Sequence, residues 1–397
     1  MSSFLWSGYF LDYRSTRINI DTSGITKKRY EKVPRQELIE LGAVLFRESI
    51  ASRFDINKDH VVPLSGGLDS RAILAGLLEH TEARNIHTYT FGTPGTLDYD
   101  IGNFVAGQLG TDHTSFDLTR HVYKQEELED ISRRVDRQTI LFHHAPVWEV
   151  AKKFCGCVSW SGFLGDPLTG SHLLDRPSES MPEAKARFIE RNRYVKSVDL
   201  RAKNANLADF VQCELIGKET LTLDEQLDFN NRQTKFVAPH VLMQGFEYEL
   251  PFLYQPWIDF ILSVDNQYRH KQSLYYDILR KAFPTAFSYK TKSNRGQPLG
   301  ASVALVSVYK GLDRIRSALG MPSRSINYID FNRQIRQKLD LRQVVSSNVL
   351  DLHKRGLVDW IDVPAILSKH MRGDARHGDA LVALASLEVH FKSGSVL

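Results

Sequence analysis

VVPLSGGLDS, residues 61–70, joins an apolar run directly to two adjacent glycines, and an amphipathic segment, 71–79, follows at once. This order predicts a strand, a tight turn and a helix. Adjacent glycines allow positive φ and let the backbone approach a ligand closely. The amides of Gly66, Gly67 and Leu68, together with the helix N-terminus, would form a concavity that binds anions.

The polar residues of this stretch suit a phosphate ligand. Ser65 and Ser70 supply hydroxyl donors, and Asp69 could hold a magnesium ion against the phosphates. No lysine stands where a Walker loop requires one. The pattern instead resembles the PP-loop of the N-type ATP pyrophosphatases, which cleave ATP between its α- and β-phosphates and adenylate a substrate. The alternative is an ordinary helix entry that happens to contain two glycines.

The composition limits the class of protein. A chain of 397 residues with 42% apolar and 25% charged residues is typical of a globular enzyme with one large or two medium domains. It contains no run of 18 apolar residues and opens without a signal-like segment, so we expect no membrane span and no secretion. Three cysteines make no disulfide framework, which favours a cytoplasmic location. The net charge of +4 permits an anionic substrate such as ATP, and we expect no nucleic-acid partner.

Strands and helices alternate through the first half of the chain, which predicts an α/β fold with a doubly wound, mostly parallel sheet. The predicted strands are 61–64, 86–91, 113–118 and 157–160, and the predicted helices are 37–54, 71–79, 98–109 and 125–153. Residues 8–20 alternate like a strand, and the part beyond 180 reads as mostly helical. Ligands of such sheets lie beyond the carboxyl ends of the strands, so the loops after Leu64, Phe91 and Trp160 should share one site.

Several blocks in the expected order resemble the synthetase domain of asparagine synthetase and its relatives, which include β-lactam synthetases and lasso-peptide cyclases. The blocks are SGGLDS (65–70), TFGTPGTLDYDIGNFVAGQLGTDH (90–113), SGFLGDPLTGS (161–171), GFEYELPFL (245–253), YYDILRKAFP (275–284) and YKTKSNRG (289–296). The resemblance implies the adenine nucleotide α-hydrolase-like PP-loop fold with a largely helical C-terminal part. Its implied domains are a short β-rich extension (1–36), an ATP-binding synthetase domain (37–300) and a helical region packed on it (301–397).

The resemblance also implies a site for ATP and Mg²⁺. The implied ATP-binding residues are Leu64, Ser65, Gly66, Gly67, Leu68, Asp69, Ser70, Phe91 and Gly162, with the adenine against the strand that ends at Phe91. Asp69 and Asp166 match the aspartates that hold magnesium on the pyrophosphate, and Asp166 is counted as catalytic. Two carboxylates on neighbouring loops can indeed share a metal that neutralises a leaving pyrophosphate.

Two cationic residues match catalytic positions of the family. Lys292 matches the lysine beside the acyl-adenylate, where a cation would stabilise the developing oxyanion, and Lys290 is the neighbouring alternative. Arg280 matches an arginine near the site, although it could instead form a structural ion pair.

The chain departs from the family at two acidic positions. Phe163 and Pro167 stand where the family has glutamates, and the first of these is thought to help deprotonate the incoming ammonia. His143, His144 and His172 are candidate replacements, because imidazole titrates near neutrality. For each, a buried histidine with satisfied hydrogen bonds is the alternative.

These observations predict an ATP-dependent, AMP-forming carbon–nitrogen ligase that adenylates a carboxylate and then transfers the acyl group to ammonia or an amine. The expected substrate is a small carboxylate: an amino acid, a uronic-acid sugar or a specialised metabolite. We expect no N-terminal glutaminase domain of the family's kind, so that ammonia would come from solution or from a separate glutaminase, or the nucleophile would be an amine. Two alternatives stay open: a PP-loop tRNA-modifying enzyme, favoured by the arginine-rich stretch 312–345, and a degenerate nucleotide-binding scaffold subunit that partners a glutaminase.

Overall fold

A computed structural model describes residues 1–14, 18, 20–213, 220–318, 323–326 and 328–394. Its central feature is a five-stranded sheet in which every neighbouring pair runs parallel. The strands are β1 (His60–Pro63), β2 (Ile86–Gly92), β3 (Asp112–Asp117), β4 (Val158–Trp160) and β5 (Glu247–Glu249), and a small antiparallel pair is formed by β6 (Lys290–Thr291) and β7 (Gln297–Pro298). The predicted parallel α/β sheet is therefore confirmed.

The helices of the first half are α1 (Ser2–Ser7), α2 (Arg35–Ala51), α3 (Asp69–Leu77), α4 (Leu97–Leu109), α5 (Gln125–Arg134), α6 (Val147–Lys153), α7 (Gly165–Thr169) and α8 (Met181–Arg191). Those of the second half are α9 (Leu223–Leu227), α10 (Ala238–Val241), α11 (Gln255–Ser263), α12 (Asn266–Arg269), α13 (Ser273–Ala282), α14 (Pro284–Phe287), α15 (Val303–Ala318), α16 (Phe331–Gln337), α17 (Leu339–Lys354), α18 (Val363–Arg372) and α19 (Gly378–Lys392). A π-helix over Asp228–Val237 joins α9 to α10. The predicted helical C-terminal part is confirmed.

The strand order β3-β2-β1-β4-β5 places the reversal of winding at β1, between β2 and β4. Both faces of the sheet are covered. Val62 and Leu64 pack with α3 and α4 on one face, and Val61 packs with Val150 and Phe154 of the α6 region on the other. The crevice at such a reversal point is where open α/β sheets bind ligands, so the loops after β1 and β4 are positioned to form a site.

The C-terminal helices build a second apolar core. Helix α19 is buried along most of its length and packs against α16, α17, α5 and α1. An apolar helix surrounded on all sides by other helices needs no amphipathic pattern. This bundle therefore stands beside the sheet as a separate hydrophobic cluster.

Two local predictions are wrong. The first concerns the β-rich N-terminal extension. Residues 2–7 form a helix that ends at Gly8 (φ 80°). Among the described residues of the segment 8–20, which the sequence predicts as a strand, the β pairing consists of one bridge between Tyr9 and Thr139. Phe4, Leu5 and Trp6 are all buried, Phe4 and Leu5 in one hydrophobic cluster and Trp6 in another. A run of consecutive apolar residues can be buried in this way in a helix or in a strand covered on both faces, so the pattern alone does not distinguish the two. Residues 15–17 and 19 of that prediction lie outside the described residues, as does part of the stretch 312–345.

The second correction concerns 125–153, where the sequence predicts one helix. The structure has α5 and α6 with an irregular connection between them, in which Asp136 and Arg137 have positive φ (55° and 56°). Pro146 precedes α6, and proline disfavours helical conformation in the residue before it. His143 and His144 therefore lie in this connection and not on a helix.

No helix within the described ranges is both long and apolar enough to cross a bilayer. The division of the chain at residues 36 and 300 stays a prediction.

Candidate active site

A cavity of about 800 Å³ opens at the carboxyl ends of β1, β2 and β4. It is large enough for a nucleoside triphosphate. Its wall contains most of the predicted site residues, namely Leu64, Ser65, Gly67, Leu68, Asp69, Ser70, Phe91, Gly162, Asp166 and Lys292. We call this cavity the nucleotide cleft.

The loop between β1 and α3 is held by its own hydroxyls and by a neighbouring loop. The amide of Ser65 donates to Ser70 Oγ (3.3 Å), and the amide of Gly67 donates to Ser65 Oγ (3.1 Å). Gly66 packs closely against neighbouring backbone, because a Cβ at this position would lie 2.8 Å from the carbonyl oxygen of Leu97. The carbonyl oxygen of Gly66 accepts a hydrogen bond from the amide of Lys292 (2.9 Å). The loop is thus fixed at the N-terminus of α3, the end of a helix that favours anions.

Two glycines of the loop after β4 allow it to close over Asp69. A Cβ on Gly162 would lie 2.8 Å from Asp69 Cβ, and one on Gly165 would lie 2.3 Å from Asp69 Cγ. Between them, buried Leu164 has φ 67°, a left-handed conformation that a leucine rarely adopts. Strained residues of this kind concentrate where a loop must hold a functional geometry.

Asp69 and Asp166 are two acidic residues that lie close enough for the charge of Asp166 to affect the pKa of Asp69. The Tyr275 hydroxyl donates to Asp69 Oδ1 (2.9 Å), and Gln272 donates to Asp166 Oδ1 (3.2 Å). Burial, and then the charge of Asp166, raise the pKa of Asp69 well above its usual value. A divalent cation would relieve both effects, so the pair fits Mg²⁺.

In the described part of the chain, no group of three or more His, Cys, Asp or Glu side chains is arranged to hold a metal. A cation at Asp69 and Asp166 would therefore need oxygens from a ligand. Mg²⁺ commonly binds in this manner, with one or two carboxylates and the phosphates of its substrate.

The structure separates the two candidate lysines. Lys292 lines the nucleotide cleft, with its ammonium in contact with the carboxylate of Asp98 at the start of α4. Lys290 instead lies over the ring of Phe104, 4.0 Å from its centroid. The geometry therefore favours Lys292 as the cation of the cleft.

Arg280 is not brought to the cleft wall. Its guanidinium lies 3.8 Å from Asp277 on the same helix, and 55% of its side chain is exposed. Of the two roles left open for Arg280, this placement matches the structural ion pair.

The positions where the family's glutamates are missing face the protein interior. Phe163 is 4% exposed and belongs to the main core. Pro167 is also buried, and its carbonyl faces the guanidinium of Arg269 at 3.5 Å. Phenylalanine and proline have no titratable group, so neither residue can accept a proton in the cleft.

The three candidate histidines do not supply a ready base in the cleft. His143 stacks on Tyr328 (4.6 Å between centroids), and burial lowers its pKa to about 3. Burial also lowers the pKa of His144 well below its usual value. His172 accompanies Asp228 (2.9 Å) in a different cavity.

A smaller, mainly aromatic cavity of about 210 Å³ adjoins the nucleotide cleft. The two share Pro63, Phe91, Gly162, Val241 and Tyr328 in their walls. Phe91 and Tyr328 stack with 6.1 Å between centroids. A planar apolar group such as a nucleobase would be well accommodated at this junction.

Several residues of the cleft escaped the sequence reasoning. They are Asp98, Gln272, Ser293, Arg295 and Tyr328 in the cleft wall, and Tyr275, which is fully buried and donates to Asp69. Tyr275 and Arg295 stand within the family-like blocks at 275–284 and 289–296, so attention to every polar residue of those blocks could have found them. Gln272 and Tyr328 lie outside all the blocks, and no sequence signal marks them.

Comparison with known proteins gives two matches. The sequence model of asparagine synthase matches residues 43–391. A curated relative, asparagine synthetase [glutamine-hydrolyzing] 2 of Arabidopsis thaliana, is 22% identical over 260 residues, which are 56% of this chain and 45% of the relative. The chain thus aligns with less than half of that relative's length.

Proposed function

The chain belongs to the asparagine synthase family, and from this premise we propose that it is an ATP-dependent ligase that activates a carboxylate by adenylation and joins it to nitrogen. The observation that carries the proposal is the meeting of the Ser65–Ser70 loop, the Asp69–Asp166 pair and Lys292 in one cleft. These groups are an anion cradle, a metal-binding acidic pair and a cation, which together suit the transfer of an adenylyl group.

The proposed reaction has two steps. A carboxylate oxygen of the substrate attacks the α-phosphorus of ATP, and pyrophosphate leaves, so that an acyl-adenylate forms. Ammonia or an amine then attacks the acyl carbon, AMP leaves with the electrons of the broken bond, and the nitrogen loses a proton.

The loop residues position the phosphates in this scheme. Ser65, Ser70 and the first residues of α3 line the cleft, so the hydroxyls and the helix N-terminus would bind the phosphate oxygens. Phe91 and Gly162 would border the adenosine at the junction with the aromatic cavity. Asp69 and Asp166 would hold Mg²⁺, which when bound neutralises charge on the pyrophosphate.

Lys292 would stabilise negative charge near the reacting carbonyl. Its ammonium contacts Asp98 in the structure, which keeps the cation inside the cleft and oriented from the side of α4. An oriented cation needs little reorganisation as charge develops, and removal of one such group typically costs about 100–1,000-fold in rate.

The test is pyrophosphate release from ATP and Mg²⁺ with pooled amino acids, uronic acids and ammonium. We expect release that depends on a carboxylate and falls by about 100-fold or more in Asp69→Asn and Lys292→Ala. Lys290→Ala is the matched control, because this lysine of the same small hairpin contacts Phe104 instead of the cleft.

Other outcomes would favour the alternatives. Release that requires tRNA would favour a PP-loop tRNA-modifying enzyme. Tight ATP binding without release under any of these conditions would favour a nucleotide-binding scaffold subunit. Equal activity in Lys292→Ala and Lys290→Ala would remove Lys292 from the mechanism.

A further inference from the structure

A second polar cavity lies outside the nucleotide cleft, between α8, α9 and the π-helix. Its volume is about 210 Å³, and its wall is formed by His172, Phe188, Arg191, Asn192, Asp224, Asp228 and Arg232. We call it the arginine cavity. None of the motifs in the sequence points to it, and the proposed adenylation chemistry does not use it.

Both aspartates of the arginine cavity already have partners. Asp224 accepts hydrogen bonds from the amide (2.7 Å) and the hydroxyl (2.8 Å) of Ser178. Asp228 accepts from His172 (2.9 Å) and from the amide group of Gln233 (2.9 Å). Burial alone would raise the pKa of Asp228, but these hydrogen bonds and the nearby charges of His172 and Arg232 lower it. Asp228 is therefore a stable carboxylate.

The two arginines differ from the aspartates in this respect. Within the described residues, Arg191 and Arg232 have no hydrogen-bond or ion-pair partner, and Arg232 is merely placed over the ring of Phe236 at 5.7 Å. Asp224 and Asp228 offset the positive charge of the cavity, but their hydrogen bonds come from Ser178, His172 and Gln233, which leaves the guanidinium N–H groups of both arginines without an acceptor among the described residues. Guanidinium groups recognise carboxylate and phosphate oxygens by paired, charge-assisted hydrogen bonds.

The π-helix explains how these side chains come to face the same cavity. With more residues per turn than an α-helix, it brings Asp228, Arg232 and Gln233 to one side. π-helical segments are rare and occur frequently at functional sites. A ten-residue π-helix beside unpartnered arginines thus points to binding.

Arg269 links helix α9, which contributes Asp224 to the wall of the arginine cavity, to helix α7, which contributes Asp166 to the wall of the nucleotide cleft. Arg269 donates to the carbonyl of Leu168 (3.1 Å), in the helix that carries Asp166, and forms a buried ion pair with Glu225 of α9 (2.8 Å). After burial, the positive charge of Arg232 also contributes to lowering the pKa of His240, whose ring borders the aromatic cavity.

We propose that the arginine cavity is a second oxyanion site, in which Arg191 and Arg232 bind a carboxylate or phosphate group. The oxyanion has two possible sources: an acidic group of the ligase substrate, remote from the carboxylate that reacts, or a free anion. The first source rests on the proposed function, whereas the site itself does not.

The binding test uses the full chain with inorganic phosphate and, separately, succinate as probes in isothermal titration calorimetry. Saturating α,β-methylene-ATP and Mg²⁺ keep the phosphate loop filled, so the heat reports on another site. We expect one site for each probe, weakened tenfold or more in Arg232→Gln and in Arg191→Gln. Arg187→Gln is the matched control, because Arg187 on the same helix is paired with Glu183 (2.7 Å).

The outcomes separate the site from the ligase activity. No binding to the wild-type chain, or equal binding by all four proteins, would overturn the proposal, and neither result depends on turnover. If pyrophosphate release is detected, a tenfold higher KM for an acidic substrate in Arg232→Gln with an unchanged KM for ATP assigns the site to the substrate. Lost probe binding with unchanged KM values assigns it to a free anion.

Discussion

Gly165→Ala should strongly reduce catalytic activity, because it adds one methyl group next to Asp69 in the candidate active site. The Cβ of alanine would lie 2.3 Å from both Cγ and Oδ2 of Asp69. Ordinary van der Waals contact begins near 3.4 Å, so one group must move by about 1 Å. Asp69 has little room to yield, because the hydroxyl of Tyr275 holds its Oδ1 at 2.9 Å and the side chain packs next to Gly162, where an added Cβ would also clash with it.

The expected size of the effect follows from this overlap. Adding one methyl group to a closely packed site usually lowers the free energy of unfolding by about 1–3 kcal/mol. Moving a reacting or metal-binding group by about 1 Å can reduce the rate about 100-fold. Activity should therefore fall much further than stability.

Urea unfolding and carboxylate-dependent pyrophosphate release measure the two effects. Gly107→Ala is the matched control: this exposed glycine of α4 has no atom within 4 Å of the added Cβ, so alanine should raise the free energy of unfolding by about 0.5–1 kcal/mol and leave activity intact. Wild-type stability together with wild-type activity in Gly165→Ala would refute the close approach of this loop to Asp69.

Two further predictions concern stability. Arg269→Gln should lower the free energy of unfolding by about 3–5 kcal/mol in urea titrations, because it leaves buried Glu225 without its ion-pair partner. Acid should also destabilise the protein: burial lowers the folded-state pKa of His143 and His390 to about 3 and of His240 to about 4. Since the unfolded chain binds these protons below about pH 6.5, each histidine should lower the free energy of unfolding by about 1.4 kcal/mol per pH unit as the pH falls from 6.5 towards 4. His390→Gln should reduce this slope by about 1.2 kcal/mol per pH unit in urea titrations between pH 6 and 5, and an unchanged slope would contradict the assignment.

The sheet was predictable because its main strands have a recognisable local sequence pattern. Residues 61–64 and 86–91 are short apolar or alternating runs that end in glycine loops, and the structure places β1 and β2 there within a residue or two. The parallel arrangement followed from the helices between them. The N-terminal segment was harder to predict. Helix α1 is buried in two hydrophobic clusters and therefore shows no amphipathic pattern, and no side-chain cap marks its start.

The cleft was predictable to the extent that its residues sit in contiguous motifs. The phosphate loop and Asp166 belong to such motifs, whereas Gln272 and Tyr328 reach the cleft from parts of the chain far away in sequence. Spacing in the sequence would place Lys290 and Lys292 on the same face of a strand, and it cannot show that the strand ends at Thr291, between them. Lys290 and Lys292 differ by two residues, and it is the short hairpin of β6 and β7, with the Gly66 carbonyl held by Lys292, that separates them.

Phe163 and Pro167 provide no acid–base group for the proposed second step, in which the nitrogen must lose a proton. A histidine with a pKa of about 3, such as His143, holds a proton too weakly to draw one from an ammonium at neutral pH. His144 is buried as well, and His172 serves Asp228 in the arginine cavity. None of the three candidates is therefore a free base in the cleft. Under the proposed mechanism a nucleophile that arrives as the neutral amine needs no histidine base, and the proton that the nitrogen loses after attack can pass to the departing AMP phosphate or to water.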